Sequence, residues 1–153
     1  MILPDVNLLL YAYDGASPFH VAAKRWWREC LDGHEVVLLP EVVVFGFVRV
    51  GTNARAFHHP LTPAEAASHV RSWLGQPVVR APEAMPDHCE RVLSLLEQLG
   101  TAGNLVTDAQ IAATAISNGA VLHTADADFM RFPGLRWLNP LTNDRPPRRR
   151  RGQ

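Results

Sequence analysis

The chain has 153 residues and a mass of 17.0 kDa, enough for one domain with a sizeable core, and its 47% apolar and 20% charged composition is that of a globular protein. Its formal net charge of +0 divides into an acidic body, with ten basic and fifteen acidic side chains over residues 1–144, and a basic end holding Arg145, Arg148, Arg149, Arg150 and Arg151. A body of net −5 excludes a domain that binds nucleic acid by bulk charge alone, and the single lysine, Lys24, leaves no Walker-type phosphate loop.

Residues 1–4 read as a first strand ending at Asp5. The stretch 1–13 is apolar, yet it has no basic leader and contains Asp5 and Asn7, so it does not read as a signal peptide. Ser17-Pro18 predicts a helix start, with Gly33 as its stop. Residues 36–39 form a continuous apolar run, a buried and hence parallel strand. Pro40 opens a helix to about Asn53, and Thr62-Pro63-Ala64-Glu65 is a capping box for a helix to Leu74. Residues 77–80 predict a short third strand. Residues 86–99 are amphipathic, with Val92, Leu95, Leu96 and Leu99 on one face and Gly100 beyond. Thr107-Asp108-Ala109-Gln110 reads as a second capping box, whose helix buries Ile111, Ala112, Ala115 and Ile116 and stops at Asn118-Gly119. Residues 120–123 and 135–138 are the last strands. The folded domain spans 1–142, and 143–153 reads as a disordered basic tail. No apolar run approaches the ~20 residues of a membrane span. Cys30 and Cys89, 59 positions apart, make no Cys-x-x-Cys pair, which fits reduced thiols in a cytoplasmic protein.

Alternating strands and helices predict an α/β fold with a mainly parallel sheet of four to five strands. Ligands of such sheets bind outside the carboxyl ends of the strands. Asp5 falls at such an end, Asp126 and Asp128 fall just beyond residues 120–123, and Asp108 lies in the first turn of a helix entering the same edge. Taken singly, Asp5 and Asp108 are also good caps, and Asp126 and Asp128 are also ordinary turn residues. Taken together, four carboxylates converging on one edge repel one another, and a hard divalent cation relieves that repulsion. Oxygen donors without His or Cys point to Mg²⁺ or Mn²⁺ rather than zinc.

Three segments carry a family resemblance: Leu3-Pro4-Asp5-Val6-Asn7-Leu8-Leu9, Asn104-Leu105-Val106-Thr107-Asp108-Ala109, and Thr124-Ala125-Asp126-Ala127-Asp128-Phe129. In this order and spacing they resemble the PIN domain, and more closely the VapC-type toxins of bacterial toxin–antitoxin pairs. The ending from Phe132 to Pro140 is also similar, so the resemblance covers about residues 1–141. It implies a three-layer α/β/α fold and a metal-dependent endoribonuclease acting on tRNA or ribosomal RNA. It also implies a homodimer held in check by a VapB-type antitoxin. Asp5, Asp108 and Asp126 would hold Mg²⁺ or Mn²⁺, with Asp128 direct or through water, and Asn7, Asn104 and Thr107 would orient carboxylates or water.

One position departs from the family. Its second acid, usually a Glu in the helix after the second strand, is replaced by Gly46 in Phe45-Gly46-Phe47-Val48-Arg49. Glu41 is the nearest carboxylate, but five residues turn a helix by ~140°, so it is no same-face substitute. It reaches a metal from the helix start or serves only the helix dipole. Gly46 therefore also motivates a second reading, an RNA-binding module of the same fold with weak or no nuclease activity. Arg25, Arg28, Arg49, Arg55 and the tail are candidate phosphate contacts. Trp26-Trp27 reads as core or interface before it reads as a base-stacking site.

Overall fold

The computed structural model describes residues 1–142. The basic tail expected at 143–153 lies outside the described residues. The elements run β1 (Ile2–Pro4), α1 (Val6–Tyr13), α2 (His20–Asp32), β2 (Val37–Leu38), α3 (Glu41–Gly51) and α4 (Pro63–Leu74). After these come β3 (Val79–Arg80), α5 (His88–Leu99), α6 (Leu105–Ser117), β4 (Val121–His123), a 3-10 turn (Ala127–Arg131) and β5 (Trp137–Leu138).

The strands form one parallel sheet in the order β3-β2-β1-β4-β5. Successive side chains of β1 point to opposite faces, and all three are buried, so both faces of the sheet are covered. This is the α/β/α layering expected from the sequence. Chain order moves from β1 outward to β2 and β3, then returns past β1 to β4. The reversal makes the crevice between the carboxyl ends of β1 and β4 the topological switch point, where such sheets bind ligands. Register sets Pro4 opposite His123, and the Asp5 amide donates to the His123 carbonyl at 2.9 Å.

The core gathers the tryptophans. Trp26 and Trp27 are buried, as the core reading has it; Trp73 meets Trp27 edge-on at 5.5 Å and donates from Nε1 to the Tyr13 hydroxyl at 2.8 Å. The Thr62–Glu65 capping box forms in both directions, and α5 ends on Gly100 at φ 68°, a left-handed stop that glycine takes without strain.

Four expectations are corrected. Residues 6–13 form helix α1, which the sequence reading left unassigned; Leu8, Leu9, Leu10 and Ala12 are all buried, so no polar face exposes a helical period. The Ser17-Pro18 start is a turn in which Ser17 Oγ accepts from the Phe19 amide, and α2 begins at His20. The second capping box does not form, because α6 starts at Leu105 and Thr107 lies inside it. Ile116, expected in the core, is half-buried at the end of α6.

Candidate metal and nuclease site

Asp5 stands where β1 hands over to α1, with extended backbone and no side-chain cap to the helix. Its carboxylate is therefore free of the capping role and turns into the crevice beside β4. Only 3% of the residue is exposed, and its Oδ2 accepts a hydrogen bond from Thr124 Oγ1 at 2.8 Å. Burial is the main reason its pKa rises to about 7; the charges of Asp108 and Asp126 push it further, against the lowering by the Thr124 and Val6 hydrogen bonds. Asp108, in the first turn of α6, is raised to about 6 by burial and by Asp126 and Asp128. Asp5 is tied to the β4 end of this edge by the Thr124 hydrogen bond.

Thr124 organises this edge. It follows β4 directly, is 1% exposed, donates to Asp5 and accepts from the Asp126 amide at 2.9 Å. Asp126 in turn caps the 3-10 turn, its Oδ1 accepting from the Asp128 amide at 2.8 Å. Asp126 is thus a turn residue, its Oδ1 closing the turn. Sequence reasoning gave Thr124 no role; the available signal was its position two residues before Asp126 at a strand end. Tyr11 was also missed. Its phenol pKa is raised by burial and then by the charges of Asp5 and Asp126.

The remaining candidates lie elsewhere. Glu41 is exposed at the start of α3, lines a cavity of about 490 Å³ with Ala81, Glu83 and Gln110, and is not among the charges acting on Asp5 or Asp108. Gly46 is buried in α3, and a Cβ there would meet Val6 Cγ2 at 2.8 Å. A side chain at position 46 would thus crowd Val6, the residue next to Asp5. Asn7 is half-buried, Asn104 exposed and Thr107 half-buried; among the described residues none hydrogen-bonds an aspartate. Arg25 and Arg28 are exposed on α2, while Arg49 closes α3 and Arg55 follows it.

The donor set suits a hard cation: clustered carboxylates, two with strongly raised proton affinity, lose their mutual repulsion on binding one. Among the described residues no group of three or more His, Cys, Asp or Glu side chains is placed so as to hold a metal ion. No helix among them is long and apolar enough to cross a membrane.

The PIN domain model matches residues 2–135. Ribonuclease VapC33 of Mycobacterium tuberculosis is 45% identical over 141 residues, covering 92% of this chain and 99% of that protein. Ribonuclease VapC37 of the same species is 35% identical over 140 residues, covering 92% and 97%. Among solved structures, the sarcin-ricin-loop-cleaving toxin VapC20 of M. tuberculosis superposes with a TM-score of 0.66 at 22% identity, covering 88% of this chain and 98% of that one. The VapBC2 complex of Rickettsia felis on promoter DNA gives 0.62 at 20% identity, covering 90% and 97%.

Proposed function

The chain belongs to the PIN-domain family, among the VapC ribonucleases, and on that premise we propose that it is a metal-dependent endoribonuclease toxin of a VapBC pair. What supports this reading is the buried Asp5 at the carboxyl end of β1, joined through Thr124 to Asp126 beyond β4, at the sheet's switch point. Asp5, Asp108 and Asp126 would hold Mg²⁺ or Mn²⁺, with Asp128 direct or through water. The bound ion supplies a water of lowered pKa and charge for the phosphate oxygens. Thr124 holds Asp5 through its hydroxyl and Asp126 through the Asp126 amide. A VapB-type antitoxin, a homodimeric state, a cytoplasmic setting and a tRNA or ribosomal RNA target complete the proposal.

The test is digestion of total RNA with Mg²⁺ or Mn²⁺ and a chelator control, with new 5′ ends mapped. Discrete cuts that vanish with chelator are expected. The filled space at Gly46 supports the second reading, an RNA-binding module, and RNA binding without any metal-dependent cut would establish it instead.

The tail enters the same proposal through its point of departure. The Leu138 carbonyl accepts from the Thr124 amide at 3.0 Å, so β5 ends at the aspartate edge. Arg145 to Arg151 follow Thr142 by three to nine residues in the sequence. Deleting residues 145–153 is expected to lower the slope of log K against log salt for RNA binding by about 3, at ~0.7 per phosphate contact. An unchanged slope rejects an RNA role for the tail.

A further inference from the structure

The α1–α2 corner is aromatic. Tyr11, in the last turn of α1, and Phe19, just before α2, bring their rings to 5.1 Å between centroids at 43°. Phe19 is 45% exposed, a large apolar ring left at the surface. The corner is fixed by His20, whose Nδ1 is 3.0 Å from the Tyr11 carbonyl oxygen. Tyr11 lies six residues along the chain from Asp5, half-buried in α1, and Phe19 stands exposed just ahead of α2.

The helix that follows carries the densest positive charge of an acidic body. Lys24, Arg25 and Arg28 are all exposed within five residues, and among the described residues none of them forms an ion pair. With His20 and Val21 they line a shallow cavity of about 580 Å³, to which Glu29 and Asp32 add the acidic share toward the end of the helix. An aromatic pair with one exposed ring, set between the proposed cutting site and a cationic helix, is an arrangement that binds single-stranded nucleic acid: bases stack on rings while phosphates meet cations.

We propose that Tyr11 and Phe19 form a stacking platform for one nucleobase of the RNA cut at the aspartates, with Lys24, Arg25 and Arg28 holding the phosphates beyond it. This rests on the ribonuclease reading above and adds the path of the strand: over the α1–α2 corner and along α2. The platform accepts any base by its face, so selectivity here falls on single-stranded over paired nucleotides rather than on base identity.

The experiment uses the full chain with Ca²⁺ in place of Mg²⁺ and total cellular RNA containing 4-thiouridine, cross-linked by ultraviolet light and mapped by peptide. Adducts on Tyr11 or Phe19 are expected. Phe19→Ala, a surface change, and Tyr11→Ala should each weaken RNA binding about tenfold, the scale of one lost base–aromatic stack, whereas Tyr11→Phe should bind as the parent does. An unchanged melting temperature separates lost contact from lost fold, and Phe19→Ala carries the test alone if Tyr11→Ala unfolds. Adducts confined to other elements, no adducts, or parental binding by Phe19→Ala would overturn the platform. Protection of Phe19 by a protein partner but not by RNA would assign the corner to that partner and also overturn it. A protein that cross-links at Tyr11 or Phe19 yet never cuts RNA with Mg²⁺ would leave the platform standing and remove the nuclease reading.

Discussion

Asp5→Asn is expected to lower RNA cleavage on the order of 10³-fold while raising the melting temperature of the metal-free protein. Loss of activity follows from removing the most buried charge of the cluster, since even outer partners of a metal site are worth 10–100-fold. The gain in stability follows from linkage. The Asp5 carboxyl has a pKa of about 7 in the fold against 3.8 as a free group, so its folded value is raised. At pH below ~3.8 both states are protonated and the carboxyl costs nothing. Between there and 7 the unfolded chain releases the proton that the folded one keeps, and stability falls; above 7 the full cost is present. At ~1.4 kcal/mol per unit that cost reaches about 4 kcal/mol at pH 8. Asparagine accepts the Thr124 hydroxyl through its amide oxygen and carries no charge, so the variant should show a flatter dependence on pH. Asp108, raised to about 6, leaves a smaller slope of the same sign. The check is thermal unfolding in chelator from pH 4 to 8. Equal melting of the two proteins at pH 8 would show that Asp5 bears no buried-charge penalty. Mg²⁺ should stabilise the parent far more than the variant.

The sequence shows this edge through its residue types more than through its helices. Aspartates directly after apolar runs mark the carboxyl ends of β1 and β4, because a strand end is where the chain turns out of the sheet and a charge meets a crevice. That β1 and β4 are neighbours is written in no local pattern; it comes from the return of the chain past β1, which only tertiary packing decides. Helix α1 is illegible for the opposite reason: Leu8, Leu9 and Leu10 are apolar and buried in succession, so it shows neither a two-residue nor a 3.6-residue period. At Thr107 the capping-box pattern is present but loses, since Leu105 is buried and extends α6 by a turn ahead of it. Thr124 escaped notice because a lone threonine has many uses. What singles it out is a pair of hydrogen bonds, one to a residue 119 positions away.

Gly46→Glu is expected to destabilise the protein by about 3 kcal/mol or more, and Val6→Ala to recover a measurable part of that loss. Glycine inside a helix gives up ~1 kcal/mol against alanine, so its place in α3 needs a packing reason. That reason is Val6: a Cβ at 46 would sit 2.8 Å from its Cγ2, closer than carbon atoms tolerate, and its Cγ1 is at 3.4 Å. Overpacking of this kind costs ~1–3 kcal/mol even for small additions, and a buried unpaired carboxylate adds its own desolvation. Val6 follows Asp5 at the head of α1, so any side chain at 46 points at the aspartate edge. Glycine and valine at these positions are then one solution, in which an apolar branch occupies the room of a fifth acid. A double-mutant cycle on Val6→Ala and Gly46→Glu should give a coupling of about 1 kcal/mol or more in favour of the pair. The pair should also show a larger thermal shift on adding Mn²⁺ than the parent, because the carboxylate then lies beside Asp5 with space to reach the ion. Strict additivity of the two changes would mean that Val6 does not fill that space, and that the missing acid has another cause.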